Sequence, residues 1–144
     1  MIARRDLLRC SLLALLPFSA RAAVQTSGQI SLAAPRLSAL RIASDGKVQV
    51  EVDATNVGGA PTQMLMHVYV HDQVASVVRP PLTLAATQPI MLRPNERRTV
   101  RFTLGPEAFH LPVRDGKSVV EPGLFDIMVG ANSHDLKSAT LEIV

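Results

Sequence analysis

Met66-His67-Val68-Tyr69-Val70-His71-Asp72-Gln73-Val74-Ala75-Ser76-Val77-Val78-Arg79-Pro80 decides how the rest of the chain is read. Starting at Met64, the methionines and valines Met64, Met66, Val68 and Val70 fall on one side of an extended backbone, and Leu65, His67, Tyr69 and His71 on the other. Such period-two alternation is the mark of a half-buried antiparallel strand. A polar turn follows at Asp72-Gln73, and Arg79-Pro80-Pro81 leaves in extended form, because proline donates no ladder hydrogen bond and belongs at an edge or crossover.

The same pattern recurs on both sides. Lys47 to Asp53 sets Val48, Val50 and Val52 against Gln49, Glu51 and Asp53, and Gly58-Gly59 closes the strand with a turn. Pro89 to Leu92 reads as a short strand ended by Pro94. Arg98 to Leu104 turns Val100, Phe102 and Leu104 inward, with Arg101 and Thr103 outward. Gly105-Pro106-Glu107 breaks the run and Ala108 to Val113 crosses back. Asp115-Gly116 is a hairpin turn signal, and Leu124 to Gly130 and Ala139 to Val144 complete the set. About seven short strands, with turns about every 8 to 12 residues, predict an all-β antiparallel β-sandwich.

Four stretches in order along Val48 to Val144 resemble the C-terminal fibronectin type III-like domain of glycoside hydrolase family 3 β-glucosidases. Ala54-Thr55-Asn56-Val57-Gly58-Gly59 is similar to the family's Asn-Thr-Gly turn, and the opening stretch follows. Leu92-Arg93-Pro94-Asn95-Glu96-Arg97-Arg98-Thr99-Val100-Arg101-Phe102 resembles Leu-x-Pro-Gly-Glu-x-x-x-Val-x-Phe. Arg114-Asp115-Gly116-Lys117-Ser118-Val119-Val120-Glu121-Pro122-Gly123-Leu124-Phe125-Asp126-Ile127-Met128-Val129-Gly130 resembles the family's Val-x-Pro-Gly-x-Phe-x-Ile-x-Val-Gly ending. The chain departs from the family at His67-Val68-Tyr69-Val70 (Gln-Leu-Tyr-Val there), Leu84-Ala85-Ala86-Thr87 (Leu-x-Gly-Phe), Asn95 (Gly) and Ser118 (Trp). The resemblance implies an immunoglobulin/fibronectin III-like antiparallel sandwich that packs on catalytic neighbours, with nucleophile and acid supplied from regions outside the matched segment.

The first 22 of the 144 residues read as a cleavable export signal: a basic start, a short apolar run from Ser11 to Phe18, and the small-x-small site Ala20-Arg21-Ala22. The apolar run is shorter than the roughly 20 residues of a membrane span, and Arg9 before Cys10 is unsuited to lipid attachment, so no stable membrane anchor is expected. Arg4-Arg5 followed by Asp6-Leu7-Leu8-Arg9 resembles the twin-arginine signal, with an ordinary Sec signal as the alternative. Residues 23–35 read as a flexible tether or weak first strand, and 36–144 as the sandwich. Removing the signal takes away four arginines and Asp6, leaving eleven bases and eleven acids from the original 15 and 12. A mature charge near zero argues against nucleic acid or anionic lipid as partners. Cys10, the only cysteine, leaves with the signal, so packing alone must hold the fold.

No constellation carries an obvious chemistry. His67 and His71 are four residues apart on one strand, roughly 13 Å at the usual rise, and His110 and His134 stand on other segments. No metal or other cofactor is therefore expected. Ser76, Ser118 and Ser133 lack a nucleophile elbow, and Ser133-His134-Asp135 has triad residue types as neighbours that point apart. Asp72 and Glu121 are the tempting carboxylates for glycoside hydrolysis, yet Glu121 reads as a turn residue beside Pro122-Gly123. The mature chain has Tyr69, Phe102, Phe109 and Phe125 as its rings and no tryptophan, too few platforms for sugar stacking. The expectation is an exported, periplasmic or secreted, non-enzymatic accessory or protein-interaction domain. His67, Tyr69, His71 and Arg79 are the candidate interaction surface, and a separately encoded glycoside hydrolase or other periplasmic protein is the partner. A small ligand or metal carrier and a remnant of a family 3 enzyme are the alternatives.

Overall fold

The computed structural model describes residues 29–74, 81–112 and 116–144. Strands are named in chain order: β1 (Ile30–Leu32), β2 (Arg36–Leu37), β3 (Arg41–Ile42), β4 (Val48–Asn56), β5 (Thr62–Asp72), β6 (Thr83–Leu92), β7 (Arg97–Leu104), β8 (Leu111–Pro112), β9 (Ser118–Val119), β10 (Gly123–Gly130) and β11 (Lys137–Ile143). One sheet is built on β4, which pairs with β7 and with the short β1 and β2. The other runs β3-β11-β10-β5-β6, and β8 and β9 form a small hairpin. The all-β sandwich expected from the alternation is the architecture found. Its long strands are β4, β5, β6, β7, β10 and β11, each of seven residues or more, and the short segments raise the count above the expected seven.

Alternation places the core as read. Val48, Val50 and Val52 face Met66, Val68 and Val70 across the sandwich, all at most 2 % exposed, with Phe102, Leu104, Phe125, Ile127 and Leu141 closing the interior. Each such side chain contributes about 1.5–3 kcal/mol by leaving water. Phe109, in the turn after β7, is also only 1 % exposed and meets Phe125 edge-on, ring centres 5.3 Å apart, so all three phenylalanines of the sandwich are interior.

The segment read as a tether or weak first strand contains a short strand, β1, which pairs antiparallel with β4 and buries Ile30; the sheet thus begins before Arg36. Local reading falls short in two places. β3 pairs in parallel with β11, because the chain switches sheets between β2 and β3. The strand expected at Pro89–Leu92 is ten residues long and holds Pro89 in its interior. An edge strand is paired on one side only, so proline is tolerated there, and a bulge opposite Val68 and Tyr69 leaves Ala85 unpaired in the register.

Asn56 joins two turns. Its side chain is fully buried; Nδ2 donates to the carbonyls of Ala60 (2.8 Å) and Leu92 (3.1 Å), and Oδ1 accepts from the Gly58 N–H (2.9 Å). Its backbone exchanges bonds with Glu96 and Asn95 in the β6–β7 turn. Asn95, which stands where the family has glycine, sits at φ 60°, a region asparagine enters more readily than other non-glycine residues.

Candidate interaction face

β5 carries Leu65, His67, Tyr69 and His71 outward on the five-stranded sheet. Register sets their neighbours: Pro89, Thr87 and Leu84 of β6 lie beside Leu65, His67 and Tyr69, while Gly130, Met128 and Asp126 of β10 lie beside His67, Tyr69 and His71. Leu65 is 43 % exposed, Leu84 53 % and Met91 61 %, so the β5–β6 half of this face is apolar. The β10–β11 half is mixed: Leu124 is 47 % exposed, Asp126 Oδ1 accepts from Gln73 and Thr140, both at 2.9 Å, and Arg41 makes a two-bond pair with Glu142.

Between the halves the His67 and Tyr69 rings stack, centres 5.9 Å apart and planes 16° from parallel. His67 Nδ1 is buried and has no hydrogen-bond partner among the described residues. The chain after β10 folds closely over Gly130, where a Cβ would collide with the Asp135 carbonyl. His71 Nδ1 bonds the Pro81 carbonyl, which ties β5 to the start of β6 and orients the ring.

The outer face of the other sheet is charged and internally paired. Asp53 accepts from Arg36 (2.8 and 3.3 Å), Arg97 (2.6 Å) and Thr99 (2.6 Å), and Glu51 accepts from Arg101 (2.7 Å). The Arg36 guanidinium, followed by Thr99 and Arg97, holds the Asp53 carboxyl well below the usual carboxylate range, and the bond from Arg101 lowers Glu51. Asp53 keeps the outward phase of the alternation but is only 6 % exposed, because the arginines cover it. This face presents satisfied charges, and the β5–β6 face presents uncovered hydrocarbon.

The fibronectin type III-like domain family matches residues 65–133. The sandwich is a fibronectin type III-like domain. A β-xylosidase of Formosa agariphila is 40 % identical over 111 residues, 76 % of this chain and 15 % of that protein. A periplasmic β-glucosidase of Salmonella typhimurium is 31 % identical over 119 residues, covering 83 % and 15 %. The solved structure of a β-glucosidase from Erythrobacter marinus superposes with a TM-score of 0.78 at 33 % identity, over 80 % of this chain and 15 % of that one. The chain thus corresponds to the fibronectin type III-like domain of family 3 glycoside hydrolases, and it spans about 15 % of the length of these relatives.

The remaining candidates are dispersed over the fibronectin type III-like domain. Among the described residues no group of three or more His, Cys, Asp and Glu stands close enough to hold a metal ion. In Ser133-His134-Asp135 it is Asn132 that caps the loop, its Oδ1 accepting from the His134 and Asp135 N–H groups. Asp72 is nearly buried and its Oδ1 accepts the Val74 N–H in the turn after β5. Ser118 lies on β9. Arg79 of the expected surface, the signal residues Arg4, Arg5, Ala20 and Ala22, and also Ser76 and Asp115, lie outside the described residues. What sequence reading missed on this face is the contribution of β6: Leu84 and Met91 are the more exposed apolar groups, and only the register with β5 puts them beside Tyr69 and Gln63.

Proposed function

We propose that the chain is an exported, non-catalytic accessory domain that docks through the β5–β6 half of its outer sheet face onto a glycoside hydrolase encoded separately. The observation that carries this reading is the uncovered strip of Leu65, Leu84 and Met91 around the Tyr69–His67 stack, on a domain whose relatives carry it as 15 % of a glycosidase. A contiguous exposed apolar strip is the mark of a docking site, and an aromatic at its centre is the usual energetic anchor. Export rests on the Arg4-Arg5 start and the Ala20-Arg21-Ala22 site, and places the domain where a periplasmic or secreted glycosidase works.

The test is sedimentation and activity of a family 3 β-glucosidase or β-xylosidase from the same genome, with and without the mature domain. Complex formation that Leu65→Glu and Met91→Glu abolish, with both variants still folded, supports the proposal. No complex at tens of micromolar, or one indifferent to both charges, refutes it.

A further inference from the structure

The edge of β1 lies apart from the docking face proposed above. Residues of β1 alternate in which edge their backbone addresses. The Val57 N–H donates to the Gln29 carbonyl and the Ala33 N–H to the Asp53 carbonyl, so with Ser31 opposite Thr55 the odd-numbered residues face β4. In an antiparallel ladder the residues between them point the other way. The N–H and C=O of Ile30 and Leu32 therefore leave the sheet, and among the described residues β1 pairs with β4 alone.

These groups border a cavity of about 350 Å³, within the usual range for ligand pockets. Its base is formed by Ile30 and Met64, only 7 % and 4 % exposed, with Leu32 beside them, and most of the surface that the rest of the lining exposes is polar. The opposite wall is the β10–β11 connection, with Asn132, Asp135 and Lys137. The Asn132 carboxamide is held by its oxygen on two backbone N–H groups. One carboxylate and one ammonium stand at the same mouth, and neither is bonded to another described residue.

We propose that this edge is a receptor strand for an extended peptide segment of another protein, added antiparallel to β1. Three peptide residues supply four backbone bonds, two to Ile30 and two to Leu32. The first and third residues point their side chains to the base of the cavity, and the middle one points to solvent beside Ser31. Flanking residues of opposite charge meet Asp135 and Lys137. The occupant is an alternating apolar-polar-apolar segment with a base at one end and an acid at the other. Strand addition of this kind takes its affinity from main-chain bonds and its selectivity from alternate side chains.

The probe is an acetylated, amidated Lys-Val-Thr-Val-Asp peptide titrated into the mature chain, followed by amide NMR. Saturable shifts at Ile30, Leu32 and Ala131 to Lys137 are expected, with slower hydrogen exchange of the Ile30 and Leu32 amides. Methylating both valine nitrogens removes two donors, which should weaken binding about tenfold or more. Leu32→Pro deletes an outward N–H at an edge position where proline is tolerated and should abolish binding while the melting curve stays cooperative. If that variant unfolds, the methylated peptide still tests the claim on the unaltered chain. Equal binding of the methylated peptide, shifts confined to other surfaces, or no binding at millimolar peptide would overturn it. Ile30 and Leu32 amides already protected in the free chain would overturn it too, since the edge would then be filled by the chain's own N-terminal residues. Loss of glycosidase docking leaves these results untouched.

Discussion

Replacing Asn56 by alanine should be among the most damaging single changes, although no catalytic or docking role is assigned to it. The side chain makes three bonds. The Leu92 carbonyl is reached in a buried setting, so its lost partner costs about 1–3 kcal/mol; the Ala60 and Gly58 groups are partly reachable by water and cost about 0.5–1 kcal/mol each. The sum, about 2–5 kcal/mol, is a large share of the 5–15 kcal/mol that typically stabilises a domain. In urea with a slope near 1.5 kcal/mol/M, a loss of about 3 kcal/mol lowers the midpoint by about 2 M at unchanged slope. Asn56→Asp should be worse, because it removes both Nδ2 donors and adds a charge in the interior. A midpoint shift in Asn56→Ala worth less than about 1 kcal/mol would refute the view that this side chain joins the two turns.

Asp53 predicts the acid limb of stability. Its folded-state pKa is depressed, so the stabilisation is complete above the unfolded value of about 3.9 and is lost as pH falls from there toward the folded value. Melting curves between pH 7 and 2 should show Asp53→Asn less stable than the parent at neutral pH, with a flatter acid decline; parallel curves would contradict the assignment. Asn95→Val should cost about 1–2 kcal/mol at the positive φ, and Asn95→Gly should be close to neutral, both read by urea midpoint. In cells, Arg4→Lys with Arg5→Lys should block export if the twin-arginine route is used, and N-terminal sequencing of exported protein should begin at Ala23. Export that survives the double change points to Sec.

Asn56 and Asp53 illustrate how legibility varied. Both lie on one strand whose valines could be assigned inward from spacing alone, because a side chain's face in an extended chain depends only on its parity. Asp53 reads locally as another exposed acid. It is covered because Arg36 and Arg97 arrive from strands 17 and 44 residues away, which no local pattern encodes. Asn56 looks like a turn residue in the family's Asn-Thr-Gly position, and its bond to Leu92 spans 36 residues.

The candidate face divides the same way. His67, Tyr69 and His71 were legible as one side of a strand, since they alternate within a single run. Leu84 and Met91 were not, because their run contains a proline and a bulge that interrupt the period, and only pairing with β5 shows which side they take.

Alternation and turn residues were enough to indicate the sandwich and to assign inward positions on the long strands, because those properties are set by nearest neighbours along the chain. Which strand lies beside which, and therefore where apolar surface is exposed, which carboxylate is shielded and which strand borders a cavity, came from contacts between distant segments. Short strands such as β1 and β3 have too few residues to carry a periodic signal, and they exist only because a longer neighbour offers them a ladder.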